Sequence, residues 1–220
     1  MHKVRVWDLP TRVFHWALVL AIVGLVITGN VGGNWMTWHF RLGYLVMTLL
    51  LFRILWGFVG GYWSRFRRFV YTPGQLLGYL KGRGHPEHEV GHSPTGAVSV
   101  FALIGILLAQ VGSGLISDDE IAFIGPLARF VSTELSLQAT WYHKEVGKAI
   151  LIALVVLHIL ALLYYRWFKQ KSLVPAMVTG DKLLEHPATA SQDGWAQRGL
   201  AVVCALVSGG VVWWVTQLGA

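Results

Sequence analysis

The 220-residue sequence has few charged residues and a single cysteine. Asp, Glu, Lys and Arg make up 13% of the chain and hydrophobic residues 55%, which excludes a disordered chain and is unusual for a soluble domain. Cys204 cannot form an internal disulfide, and the absence of a C-x-x-C-H stretch excludes covalently attached haem. The absence of G-x-S-x-G, H-E-x-x-H and Walker motifs excludes the common hydrolase, zinc-protease and nucleotide-binding signatures.

Long hydrophobic runs are present instead. Eleven Trp and 25 Gly fit a membrane protein, because Trp collects at bilayer interfaces and Gly is frequent in membrane helices. A spanning helix needs about 20 apolar residues. The sequence predicts an all-α membrane protein whose five spans cover about residues 13–31, 39–63, 95–117, 143–165 and 200–218. Asp8 and Pro10 are typical of a helix start and predict the beginning of the first helix.

The basic residues predict the orientation of the spans. Thirteen of the 18 Lys and Arg residues lie in the N-terminal arm, in the loop between spans two and three, and after span four. The other two loops contain only Arg129. The positive-inside rule therefore predicts a multi-pass protein of the bacterial inner membrane with a cytoplasmic N-terminus and a periplasmic C-terminus. The rule also accounts for the net charge of +7 and argues against a nucleic-acid partner. Arg53, in span two, is expected to snorkel to the cytoplasmic surface.

Four histidines lie in the spans or at their ends, where a polar ring is expensive and usually marks a pathway or a cofactor. His15 and His158 are expected toward the cytoplasmic side, and we call them the inner pair. His39 and His143 begin spans two and four from the opposite side, and we call them the outer pair. His143 and His158 are 15 residues apart, which places them near one face of a helix and about 22 Å apart along it.

This arrangement favours two stacked haems, each with a histidine above and below the iron. Gly43 and Gly147 each follow an outer histidine by four residues, where a missing side chain would let a flat macrocycle approach. Arg12 on the inner side, and Arg41, Lys144 and Lys148 on the outer side, could each hold a propionate or a quinone oxygen.

Three other interpretations remain open at this point. The four histidines could be unrelated polar residues, or they could form a proton relay, although the only acidic residue in the spans is Glu145. The cytoplasmic loop 84–92 could bind a transition metal through its histidines and glutamates, although three exposed histidines are more often ordinary solvated residues. His92 of this loop is also the best substitute for a wrongly assigned haem ligand.

Between residues 4 and 182 the sequence resembles the prokaryotic cytochrome b561 family of dihaem membrane proteins, which includes the b-type subunits that accompany nickel–iron hydrogenases. Several motifs carry this resemblance in order: VWDLPTR at 6–12 with VFHW at 13–16, WH at 38–39 with GY at 43–44, RILWGFVG at 53–60, RF at 65–66, GHSPTG at 91–96, HKE at 143–145, LH at 157–158 and AMVTG at 176–180.

The resemblance implies a four-helix transmembrane bundle that holds two non-covalent b haems. It implies that His15 and His158 ligate the inner haem and that His39 and His143 ligate the outer one. It places His92 in a recurrent loop motif outside the ligand set. A fifth C-terminal transmembrane helix departs from the family fold. We therefore expect a dihaem cytochrome domain at 1–182, followed by a cytoplasmic linker and the additional helix at 183–220.

The expected function is electron transfer within the inner membrane, between the quinone pool and a redox partner such as a periplasmic cytochrome. Two imidazoles on each iron leave no open coordination site, which favours outer-sphere electron transfer. One alternative is a quinone-linked oxidoreductase that acts directly on a small oxidant such as superoxide. Another is a membrane-anchor subunit of a hydrogenase or dehydrogenase.

Overall fold

A computed structural model describes residues 1–219, and Ala220, the last residue of the predicted 183–220 segment, lies outside the described residues. Five helices are long and apolar enough to cross a membrane, which confirms the predicted fold class. The α-helices are α1 (Leu9–Val31), α2 (Met36–Val59), α3 (Pro73–Leu80), α4 (Pro94–Leu115), α5 (Thr133–Trp141), α6 (Lys148–Trp167), α7 (Val174–Thr179) and α8 (Trp195–Gln217). A π-helical segment, Tyr142–Gly147, joins α5 to α6, so that one apolar helix runs over Thr133–Trp167.

Three predicted helix boundaries were wrong. The fifth helix begins at Trp195, five residues before its predicted start at residue 200. The helix predicted at 39–63 ends at Val59, because Gly61 donates its N–H to the Asp8 carboxylate at 3.0 Å and the chain turns into a 3-10 helix at Tyr62–Ser64. The helix predicted to start at residue 143 begins at Thr133, where the Ser132 hydroxyl accepts the N–H of Leu135 at 3.3 Å. The Asp8 side chain, which precedes α1 in the sequence, therefore contacts the chain just after the end of α2.

A small antiparallel sheet was not predicted from the sequence. Strand β1 (His2–Arg5) pairs with β2 (Asp181–Leu184), and Arg5 lies opposite Asp181. Gly180, with φ +91°, makes the turn before β2, and its carbonyl accepts the N–H groups of Val6 and Trp7 at 2.8 and 3.0 Å. The sheet therefore ties the N-terminal arm to the segment that follows α7.

The described residues form two compact units, and each long helix contributes to both. The first unit contains Met1–Phe14, Arg53–Ala102 and Val155–Cys204. The second contains His15–Phe52, Leu103–Leu154 and the described part of 205–220. Both units draw residues from either side of residue 182, and the division into domains at that residue stays a prediction.

A fully buried carboxylate organises the first unit. Asp8 accepts the N–H of Thr11 at 2.8 Å, which confirms it as the cap of α1. It also accepts the Ser64 hydroxyl at 2.9 Å and the indole N–H of Trp56 at 3.2 Å. With the N–H of Gly61, four donors from α1, α2 and the turn after α2 converge on one side chain. Such a satisfied buried carboxylate fixes the geometry of these segments.

Arg53 does not snorkel to the surface, contrary to the expectation from the sequence. Its side chain is buried, with only 3% of the residue exposed. The guanidinium lies 4.7 Å from the ring centre of Phe66 and 5.9 Å from that of Phe69. The aromatic turn after α2 covers the charge and satisfies it partly through cation–π contacts.

A second carboxylate fastens the chain between β2 and α8. Asp193 accepts the N–H of Leu9 at 3.0 Å and a guanidinium N–H of Arg5 at 3.0 Å. The guanidinium of Arg198, in the first turn of α8, lies 3.4 Å from it. Nearby, the hydroxyl of Ser191 donates to the carbonyl of Val6 at 2.7 Å. The start of α8 is thus attached to the start of α1 within this unit.

Candidate functional site

The second unit brings the two outer histidines together. His39 lies in the first turn of α2, and His143 is the second residue of the π-helical segment. Their ring centres are 6.0 Å apart, and the ring planes cross at 83°. The two rings therefore meet across a narrow gap, although 104 positions separate them in the sequence.

The His39 ring is held from α1. Its Nδ1 lies 3.1 Å from the carbonyl oxygen of Leu25 and 3.3 Å from the hydroxyl of Thr28. The Thr28 hydroxyl donates to the carbonyl of Gly24 at 2.7 Å, so both neighbours of Nδ1 act as acceptors. These acceptors favour the tautomer with the proton on Nδ1, which leaves the lone pair on Nε2 for a metal.

The His143 ring is held in the same way from α4. Its Nδ1 lies 2.9 Å from the carbonyl oxygen of Gln110 and 3.2 Å from the hydroxyl of Ser113. Ser113 donates to the carbonyl of Ala109 at 2.8 Å and so presents an acceptor to the ring. Both histidines therefore have their Nδ1 occupied and their Nε2 available for ligation.

The spacing of these rings fits one metal ion between them. An imidazole nitrogen lies about 2 Å from a transition metal that it ligates, so two rings on opposite sides of one ion have their centres about 6 Å apart. Imidazole is a usual axial ligand of haem iron. The observed 6.0 Å and the two fixed tautomers thus suit a haem iron with two axial histidines.

Two glycines against the rings of the outer histidines were missed in the sequence. A Cβ on Gly29 of α1 would lie 3.0 Å from Cε1 of His39, and one on Gly114 of α4 would lie 3.1 Å from Cε1 of His143. Each glycine is close in sequence to the residue that holds the ring, Thr28 or Ser113. The only sequence signal was this proximity of a glycine to a hydroxyl residue inside a span.

Gly43 and Gly147, which were both predicted to let a macrocycle approach, have different surroundings. A Cβ on Gly43 would meet no atom within 4 Å, which leaves open space one turn after His39 for a macrocycle. The corresponding space at Gly147 is filled by the side-chain amide of Gln110. Gly147 therefore makes room for Gln110, and its approach to a macrocycle stays a prediction.

The predicted cationic residues lie in distinct environments. The Arg41 guanidinium lies 4.9 Å from the ring centre of Trp38, and Lys144 is exposed on the π-helical segment. In the first unit, Arg12 donates to the carbonyl of Val178 at 2.7 Å, while its buried Nε has no hydrogen-bond partner among the described residues. An orphaned buried donor fits an anionic group that binds there, such as a propionate.

The inner histidines are half-buried. His15 belongs to the second unit, where its ring makes an edge contact with Trp16 at 5.1 Å. His158 belongs to the first unit and lies on α6. Their pairing stays a prediction.

The loop histidines do not form a metal centre. Among residues 1–219, no group of three or more His, Cys, Asp or Glu side chains could hold a metal ion. His85 and His88 bond to backbone N–H groups of their own loop. His92 was expected to be solvated, yet its ring packs 4.7 Å from Trp7 and 4.4 Å from Phe69. Burial and the charge of Arg53 lower the pKa of His92 to about 3, so this ring is neutral.

Comparison with known families agrees with this geometry. The family model described as prokaryotic cytochrome b561 matches residues 6–180. The chain belongs to this family. As a member, it is a multi-pass membrane b-type cytochrome, and it binds haem b and takes part in electron transport. Helix α8 lies outside the matched residues.

Several curated relatives are described as probable Ni/Fe-hydrogenase B-type cytochrome subunits. The protein of Bradyrhizobium diazoefficiens is 24% identical, with 81% of this chain and 85% of the relative covered. That of Azotobacter chroococcum is 25% identical, with 83% and 89% covered. The Escherichia coli K12 hydrogenase 1 subunit is 27% identical over 55% of this chain and 64% of the relative. No solved structure matches the chain significantly.

Proposed function

We propose that this cytochrome b561 family member carries two b haems, each with two axial histidines, and links the quinone pool to a redox partner. The outer pair is the observation that carries the proposal: His39 and His143 face each other at 6.0 Å with both Nδ1 atoms bonded to carbonyl oxygens. The positions of His15 and His158 in the sequence provide the second pair of ligands.

Each bound haem supplies one-electron redox chemistry. The protein holds the ligands and sets their electronic character. A carbonyl that accepts the Nδ1 proton makes an imidazole more basic and fixes its orientation. Leu25 and Gln110 provide these carbonyls from helices other than those that bear the histidines. Because two histidines fill both axial positions, the site favours electron transfer over binding of a small molecule at iron.

The distribution of basic residues supports an orientation with the N-terminus in the cytoplasm. His15 and His158 then lie toward the cytoplasm, and His39 and His143 toward the periplasm. This places one redox centre near each side of a hydrocarbon core of about 30 Å. Such an arrangement serves the transfer of electrons between a lipid-soluble quinone and a partner protein.

The descriptions of the relatives suggest the class of redox partner. They are described as hydrogenase cytochrome subunits. We infer that this chain also accepts or delivers electrons in a complex with another redox protein, such as a hydrogenase-like enzyme or a periplasmic cytochrome. Co-purification from native membranes with mass spectrometry identifies that partner, and purification of the haem-loaded chain alone in every case would contradict this part of the proposal.

Haem counting tests the cofactor assignment. The purified protein should contain two haems per chain, and acid-acetone extraction should remove both. His39→Ala and His143→Ala should remove the same haem, while His15→Ala and His158→Ala should remove the other. A haem lost from His92→Ala but retained in His39→Ala would refute the ligand pairs.

Reduction by quinols tests the redox link. A menaquinol or ubiquinol analogue, mixed anaerobically with the oxidised protein, should reduce it, as followed by haem absorption. Oxidation by quinones without reduction by quinols would show that electrons pass from the haems to the quinone pool. Failure in both directions would eliminate the quinone link.

A further inference from the structure

Gln110 of α4 bonds to His143 through both its backbone and its side chain, and no sequence motif predicts these contacts. Its backbone carbonyl accepts the Nδ1 proton of His143 at 2.9 Å. Its side-chain Nε2 donates to the backbone carbonyl of His143 at 3.2 Å. Its Oε1 is buried against Gly147 and has no hydrogen-bond partner among residues 1–219. A single residue of α4 therefore holds both the ring and the backbone of this histidine.

The backbone at His143 needs such support. The segment Tyr142–Gly147 is π-helical, whereas the residues on both sides are α-helical. A π-helical turn interrupts the regular i to i−4 hydrogen bonds, and such turns are frequent at functional sites. The Gln110 amide bonds a carbonyl of this turn directly, and the absence of a side chain at Gly147 gives the amide its place.

The π-helical turn changes the direction of His143 relative to α6. An extra residue in one turn rotates everything that follows relative to a regular helix with 3.6 residues per turn. The ring plane of His143 crosses that of His39 at 83°. Each ring is locked by a carbonyl from a neighbouring helix, Leu25 on α1 or Gln110 on α4, so that neither turns freely.

We propose that Gln110 is a positioning residue that stabilises the π-helical turn and thereby keeps the two outer axial imidazoles crossed. This inference rests on the proposed ligation of a haem by His39 and His143. The orientation of axial ligands and the hydrogen bonds around them are means by which a protein adjusts a haem.

Crossed imidazoles have a direct spectroscopic consequence. In low-spin ferric haem, each imidazole plane interacts with a different iron d orbital when the planes are perpendicular, and two orbitals stay nearly equal in energy. The electron paramagnetic resonance (EPR) spectrum then has a strongly anisotropic signal with a large maximum g value. Parallel planes separate the orbitals and lower that value. The wild-type outer haem is therefore expected to give the strongly anisotropic signal.

The experiment uses the full chain with His158→Ala, which leaves the outer haem as the only expected signal. Gln110→Leu removes both polar atoms of the amide. Gln110→Glu, studied at alkaline pH, keeps the volume but replaces the donor to the His143 carbonyl with a charged carboxylate oxygen that repels this carbonyl. Both variants should retain the outer haem, shift the maximum g value downward and change its midpoint potential. Asn30→Leu is the matched control, because Asn30 donates only to the carbonyl of Val26 in its own helix.

Each outcome decides a different question. An unchanged g value in both Gln110 variants with the haem retained would overturn the positioning role and leave the proposed function intact. Loss of the haem in both variants would show that Gln110 is needed for binding and would also overturn the proposal. Absence of any haem in the His158→Ala protein would contradict the ligand pair itself. A shift of equal size in Asn30→Leu would show that the effect is not specific to Gln110.

Discussion

Asp8→Asn should strongly destabilise the first unit. The carboxylate is fully buried and accepts hydrogen bonds from Thr11, Trp56, Gly61 and Ser64. Asparagine keeps one of the two side-chain oxygens as an acceptor. It replaces the other oxygen with an NH₂ group, which cannot accept the hydrogen bonds that this oxygen received. Ser64 can redirect its hydroxyl to Thr11, with which it already bonds at 2.7 Å, but the N–H of Gly61 has no alternative of this kind.

The magnitude follows from the number of bonds lost. A hydrogen bond to a charged group contributes about 1.5–3 kcal/mol, and a buried donor left unsatisfied costs about 1–3 kcal/mol. Loss of one charged bond together with one stranded N–H gives about 3–5 kcal/mol. In a chain of this size 1 kcal/mol corresponds to about 2–4 °C, so the unfolding temperature should fall by roughly 10 °C. Thermal unfolding in detergent, followed by haem absorption and by tryptophan fluorescence, measures this change.

Asp119→Asn is the matched control. Oδ1 of Asp119 accepts three backbone N–H groups, from Ile121, Ala122 and Phe123, but this loop is partly exposed and water replaces what is lost. The control should cost about 1 kcal/mol or less. An equal decrease in unfolding temperature for the two substitutions would refute the argument that burial strengthens the bonds of Asp8. A decrease of less than about 3 °C for Asp8→Asn would also refute it.

Three further predictions concern the outer ligands, α8 and the orientation. Gly114→Ala should lower the content of the haem proposed at His39 and His143, because the new Cβ would lie 3.1 Å from His143. Gly112→Ala on the same helix meets no atom within 4 Å and should have no effect; pyridine haemochrome assays compare the two variants. Asp193→Ala should lower the unfolding temperature by several degrees, since it strands the N–H of Leu9, while the exposed Gln192→Ala should not. A reporter active only in the periplasm should work when fused after the last residue and be silent within residues 65–89; the opposite result would reverse every inner and outer assignment.

Much of the fold could be predicted because hydrophobic length is a local property. Five apolar runs and the basic residues between them were sufficient to locate five helices, and Asp8 with Pro10 marked a true helix start. The end of α2 could not be predicted, because the N–H of Gly61 bonds to a carboxylate 53 positions earlier in the chain. Arg53 was misplaced for a similar reason: the rings of Phe66 and Phe69, which cover it, come from the loop after the predicted helix, and the sequence does not show how this loop folds back.

The outer site shows the same division. In-membrane histidines are rare enough that His39 and His143 could be selected from the sequence, and the structure brings them together. The carbonyls of Leu25 and Gln110 could not be predicted, because a backbone group has no sequence signature. The π-helical turn was also missed, since a regular period of 3.6 residues was assumed throughout span four. The burial of His92 depends on Trp7 and Phe69, which are distant in sequence.

The pairing of β1 with β2 has a consequence for the order of synthesis. The residues that receive the N-terminal arm, Asp181–Leu184, leave the ribosome after four of the five long helices have been made. Ser191 and Asp193 emerge later still, so strand β1 has no partner strand while the preceding helices enter the membrane. Contacts between such distant segments form slowly. The cap from Asp193 to Leu9 therefore belongs to the last stage of assembly, and a nascent chain halted before residue 181 should have an N-terminal arm that proteases cut readily.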